Sequence, residues 1–322
     1  MEKKQVYKMD SISRDNIPKS LDCFIIAAGA DYRSYVNLEK LVASGCKINK
    51  LIIYDFKQRQ STEDQEYANA YNKYSEIYSE ETVLIESDIT QPTTCVPNLT
   101  KNNIICPTEK IGLDISCFTK PYFFVLLKYL SHIKIKLIHV FYTQPRAYRF
   151  TSASYCSYKS SSGPISVREI PSFPGSESRQ PERMLVVFLG FDGDLSTEIS
   201  EIVAPTKIVL VNGFPSFEAK YKDISLINNE KLINASGKLL YSKSSNPFDT
   251  YNTLAKLASD YQNATLNIAP LGNKPMALGA CLFAIHNPNV RIIYPYPESY
   301  VNITTDKCSL SWMYTLPLQD LA

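Results

Sequence analysis

Residues 265–286 read TLNIAPLGNKPMALGACLFAIH, and this stretch decides the fold class. Residues 265–269 form a short apolar run of strand length, and a turn with glycine and asparagine follows. Residues 275–285 are an apolar run of helical length that opens on Pro275. Proline suits a helix's first turn, because the N–H it lacks would have no partner inside the helix. Strand, turn and helix in that order are the half-unit of a parallel α/β sheet.

The first half of the chain holds a looser copy. Residues 111–116 predict a strand, residues 117–120 (CFTK) a turn, and residues 121–130 a helix, again opening on Lys-Pro. Lys274 follows Lys120 by 154 positions, and Gly190 follows Gly29 by 161. Further strands are expected at 21–29, 51–54, 83–86 and 135–142, with helices at 36–42 and 62–79. The second half repeats the order. Strands are expected at 184–189, 207–211, 239–242 and 290–294, and helices at 195–203, 216–227 and 247–261. Strands that alternate with helices imply parallel sheets with crossover connections. The expectation is an α/β chain of two Rossmann-like parallel-sheet halves related by a pseudo-two-fold. The first half spans 1–150 and the second 184–322. Between them, 151–183 is a linker rich in Ser, Pro and Gly, with an edge strand near 165–170.

Composition narrows the function classes. The 322 residues carry 34 Lys plus Arg against 32 Asp plus Glu, a near-balance that argues against general nucleic-acid binding. An apolar share of 44 % supports a packed core. The polar start lacks a signal-peptide core, and no apolar run approaches the roughly 20 residues of a spanning helix. A cytoplasmic protein with no membrane contact is expected. The eight cysteines show neither CxxC pairs nor metal-ligand spacing, so reduced structural thiols are expected, with no metal and no cofactor. With only 11 glycines in the chain, each marks a place where the backbone has a particular need.

Ligands of open parallel sheets bind at the carboxyl ends of the strands, near a topological switch. Those ends hold Gly29, Asp31 and Arg33, then Ser116, Thr119 and Lys120, then Arg146. In the second half they hold Gly190 and Asp192, then Gly272, Asn273 and Lys274. Lys120 and Lys274 are expected at the helix caps, where an ammonium opposes the helix dipole at a cost of about 0.3–1 kcal/mol. An anion reverses that sign by using the free N–H groups together with the ammonium. Lysines that point to solvent are the competing reading. Arg33 and Arg146 suit bidentate phosphate contacts, or else pair with Asp31 or another acid. Asp192 and Asp194 suit either a cation or, for Asp194, the cap of the next helix.

The 267–281 turn, with Gly272, Asn273, Lys274 and Met276, resembles the strand-four turn of CARF domains, the CRISPR-associated Rossmann-fold sensors. Those turns read as small residues, Gly-Gly, Thr-Lys and an apolar helix. Ser116, Thr119 and Lys120 match it in the first half, without the glycines. The first-strand turns, GADYRS and GFDGDLS, are similar to the second ligand-lining segment of such folds. The resemblance implies an asymmetric pocket of both halves that binds an anionic nucleotide, usually a cyclic oligonucleotide. It implies a defence or stress pathway, and a separate protein effector carries the output.

Two other readings stand beside it. One is an enzyme that cleaves a nucleotide, with Asp31, Asp114 and Asp192 as acid, base or metal groups. The other is a non-catalytic scaffold, whose strand-end residues should pair with one another. No catalytic set stands out, and His132, His139 and His286 read as structural. Tyr67, Tyr71, Tyr74 and Tyr78 form a helical stripe that is either a packing face or a protein-interaction face.

Overall fold

The computed structural model describes residues 8–12, 16–29, 31–56, 64–100, 105, 109–148, 161–176, 182–236, 238–300 and 308–319. The chain divides into two compact units, one of Met1–Arg149 with Thr304–Ala322 and one of Phe150–Ile303. Ala30, Gly237 and the linker positions 151–160 and 177–181 lie outside the described residues.

The first unit runs β1 Lys8–Ser11, β2 Ser20–Leu21, β3 Cys23–Ala27, α1 Arg33–Ala43, β4 Lys47–Ile48, β5 Lys50–Phe56 and α2 Asp64–Ile77. It continues with β6 Glu81–Ser87, α3 Cys95–Thr100, β7 Ile111–Asp114, α4 Lys120–His132 and β8 Leu137–Pro145. The second unit runs β9 Ser161–Pro174, β10 Glu182–Phe188, α5 Gly193–Val203, β11 Lys207–Gly213, α6 Ala219–Asn228 and α7 Glu230–Ser236. It closes with β12 Leu239–Ser242, α8 Pro247–Asp260, β13 Ala264–Pro270, α9 Lys274–His286 and β14 Arg291–Tyr300, after which β15 Cys308–Pro317 returns to the first unit.

Each unit is built on a mostly parallel sheet. The seven-stranded sheet has the order β1-β15-β8-β7-β3-β5-β6, and the six-stranded sheet β12-β11-β10-β13-β14-β9. In both, the first parallel strand lies in the middle, the next two on one side and the last two on the other. β3 is central because all five of its residues are apolar and buried, which suits a strand covered on both faces. The Lys-Pro helices are core helices. In α9 every residue from Pro275 to Ile285 is buried, and in α4 so is every residue from Pro121 to Leu127. A helix apolar on all sides has no solvent face to offer.

Three expectations change. The second half does not run to residue 322: β15 pairs antiparallel with β8, from Cys308 against Pro145 to Pro317 against Leu137, and β1 pairs with β15. The outer edge of β8 needs a partner, and residues beyond the repeat supply it. The expected edge segment is β9, longer than read and antiparallel to β14. The lysines are not the caps either. Thr119 and Asn273 are the caps, and Lys120 and Lys274 are the first helical residues.

Local signals explain the helix ends. Gly45 has φ +83°, and Gly45 N donates to Val42 O while Cys46 N donates to Leu41 O, which closes α1 with a left-handed cap. Asn246 caps α8 by accepting from Phe248 N at 3.0 Å. The tyrosine stripe of α2 packs inward: Tyr74 and Tyr78 are buried, and Tyr67 and Tyr71 lie against the same core as Leu38, Leu41 and Ile53.

Candidate functional site

The strand order puts the topological switch of the first sheet between β3 and β7, and of the second between β10 and β13. The helices that follow those strands begin at Arg33, Lys120, Gly193 and Lys274. Both Lys-Pro turns therefore stand at a switch, on the edge where such sheets take ligands.

In the first unit, the β3–α1 turn is closed on itself. Arg33 Nε and Nη2 donate to Asp31 Oδ2 at 2.9 and 2.7 Å, and Arg33 N donates to Asp31 Oδ1 at 2.9 Å. Both side chains are nearly buried, 10 % and 11 % exposed. Burial works to lower the Arg33 pKa, but the Asp31 carboxylate outweighs it and holds the guanidinium above its ordinary value. The phenols of Tyr142 and Tyr148 are close enough to feel Arg33, and burial raises both above the ordinary tyrosine value. Gly29 lies against Cys117 of the neighbouring turn, so the β3 and β7 turns touch.

The β7–α4 turn is similarly knitted. Asp114 is buried, and its Oδ2 accepts from Asn37 Nδ2 at 2.8 Å while its Oδ1 accepts from Ser116 N at 2.8 Å. Ser116 Oγ accepts from Thr143 N at 2.8 Å. Thr143 Oγ1 meets Ser311 Oγ of β15 at 2.9 Å, and Lys40 Nζ donates to the same Ser311 Oγ at 2.6 Å. Burial lowers the Lys40 pKa. Thr119 differs from these: its hydroxyl makes no capping bond, and Oγ1 is buried with no hydrogen-bond partner. Arg146 lies beyond the end of β8 and is exposed.

In the second unit the turns are held by amides. Gly190 O accepts from Ser225 Oγ and Asn229 Nδ2, both at 3.0 Å, and Phe191 O accepts from Asn228 Nδ2 at 2.6 Å. Asp192 is buried and stands at the cap position of α5 without a side-chain capping bond; Asp194, read as that cap, lies inside the first helical turn. Asn273 Oδ1 accepts from Met276 N at 3.1 Å. Gly272 and Gly213 both face Met276 Sδ, which brings the β11 and β13 turns together.

Each turn thus gathers its own residues: Gly29, Asp31 and Arg33; Ser116, Thr119 and Lys120; Gly190 and Asp192; Gly272, Asn273 and Lys274. Sequence reading missed Asn37, Ser225, Asn228, Asn229 and Ser311, which hold the turns in place. The Asn228-Asn229 pair where α6 gives way to α7 was a legible helix-stop signal; Asn37 and Ser311 had none.

No family model matches this chain, and no curated protein does. Among solved structures, the chain is similar to a Type III CRISPR defence DNA nuclease activated by cyclic oligoadenylate. The TM-score is 0.55 and the identity 10 %, over 84 % of this chain and 65 % of that one. The two share a fold. At that identity the likeness speaks for the α/β frame alone, and this chain spans 65 % of the length of the nuclease. A universal stress protein from Archaeoglobus fulgidus DSM 4304 aligns at TM-score 0.23 with 9 % identity, too low to bear on the fold. Among the described residues, no helix is long and apolar enough to cross a membrane.

Proposed function

We propose that this protein is a CARF-like sensor that binds an anionic nucleotide, with a cyclic oligonucleotide as the leading ligand class. It acts in a defence or stress pathway and passes the signal to a separate effector protein. One observation carries the reading: in both sheets, a helix that opens on Lys-Pro begins at the topological switch. An anion there gains the helix dipole and an ammonium, although in α9 the Met276 N–H is already taken by Asn273. The fold shared with a cyclic-oligoadenylate-activated nuclease supports the choice of ligand. In this reading Gly29, Asp31, Arg33, Ser116, Thr119, Lys120 and Arg146 serve the first crevice. Gly190, Asp192, Gly272, Asn273 and Lys274 serve the second.

The pairing within the first unit favours binding over turnover. Asp31 and Asp114 each have both carboxylate oxygens engaged inside the fold, which leaves neither poised to move a proton or hold a metal. The same pairing supports a second reading, in which this unit is a scaffold and the ligand belongs to the other. Thermal-shift measurements against nucleotides and cyclic oligoadenylates test both, with mass spectrometry of the recovered ligand. Stabilisation with intact ligand is expected. A cleaved ligand overturns the binder, and no stabilisation by any compound overturns the sensor.

A further inference from the structure

The opposite, amino-terminal edge of the second sheet holds an unrelated cluster. Lys207 opens β11, Lys238 precedes β12, and Tyr261 caps the carboxyl end of α8. Lys207 Nζ lies 4.1 Å from the Tyr261 ring centroid. Lys238 Nζ lies 5.3 Å from the same centroid and 3.3 Å from the phenol oxygen. No carboxylate of the described residues forms an ion pair with either lysine. A phenol solvates two ammonium groups without cancelling their charge, so the cluster stays cationic. The hydrogen bonds from these lysines, Lys238 first, pull the phenol below its ordinary pKa, as an electropositive site would.

Tyr261 is also a wall of a cavity of about 320 Å³, at the lower end of ligand-pocket sizes. Its lining is mixed, with Leu257, Leu266 and Phe283 as apolar wall and Thr265 and His286 as polar groups. The cavity has room for a compact apolar body; neither lysine lines it, and Tyr261 is the residue that it shares with the lysine pair.

We propose that Lys207, Lys238, Tyr261 and the adjoining cavity form a binding site for a phosphate monoester with an aromatic or apolar body. The seven residues of β11 run from Lys207 at this edge to Gly213 at the other, which places the two edges about 20 Å apart. The site is independent of the switch crevices.

Calorimetric titration of the full chain with phenyl phosphate and with inorganic phosphate tests it. Saturable binding of phenyl phosphate is expected, tenfold or more tighter than that of inorganic phosphate. Lys207→Gln and Lys238→Gln should each weaken phenyl phosphate at least fivefold. Ala258→Leu, which fills the cavity without changing charge, should weaken phenyl phosphate and spare inorganic phosphate. Absent saturable binding, equal affinity for the two probes, or indifference to the lysine substitutions overturns the proposal.

Discussion

Gly190 lies hard against Leu271: a Cβ added to Gly190 would stand 2.6 Å from the Leu271 carbonyl oxygen. These residues follow β10 and β13, the strands on either side of the second sheet's switch. The crevice of that unit is therefore shaped by a backbone-to-backbone approach that only glycine permits.

Gly190→Ala should destabilise the second unit by about 1–3 kcal/mol, because the carbonyl it meets belongs to backbone and cannot swing aside. That is a melting-point loss of about 2–4 °C per kcal/mol for a unit of this size, readable by calorimetry.

Asp31→Asn should cost about 3–5 kcal/mol, because it leaves the nearly buried Arg33 guanidinium without its counter-charge. Arg33→Lys should recover only part of wild-type stability, since an ammonium cannot reproduce the two-pronged contact. Chemical denaturation of the two variants gives the comparison.

The helix caps should respond unequally. Asn273→Ala removes a capping bond to Met276 N and should cost about 1 kcal/mol. Thr119→Ala removes a hydroxyl with no partner and should leave stability within about 0.5 kcal/mol of wild type. Melting curves of the pair measure the difference.

Stability of the first unit should fall in acid through His139. Its ring lies 3.1 Å from Thr315 Oγ1, and burial, aided by Lys8, lowers its pKa below the ordinary 6.5. Folding then favours the neutral ring. Its contribution is complete above about pH 6.5 and is lost as pH falls through the lower folded value. Between about pH 7.5 and pH 5, wild type should lose more melting temperature than His139→Gln.

The parallel frame was legible because buried strands and apolar helices carry strong periodic signals. The run at 23–27 and the two Lys-Pro helices fall where the sequence places them. β15 was not legible, since nothing local in CSLSWMYTLP says that its partner is β8, more than 150 residues earlier. At the site, the turns were legible, and the pairing of Arg33 with Asp31 stood in the sequence as one of two readings. Asp31 and Arg33 stand two residues apart, and only three-dimensional burial decides that they hold each other. Asn37 with Asp114, and Asn229 with Gly190, are contacts between distant segments that no spacing encodes.

In the proposed function, the Lys-Pro turns at the switch points bind an anionic nucleotide. Titration calorimetry of the full chain with a cyclic oligoadenylate tests it most directly, with Lys120→Ala and Lys274→Ala alongside. Wild type should bind saturably, and at least one variant should lose tenfold or more, as removal of a charge-assisted contact of about 1.5–3 kcal/mol requires. No binding heat, or affinities that both substitutions leave unchanged, would contradict it.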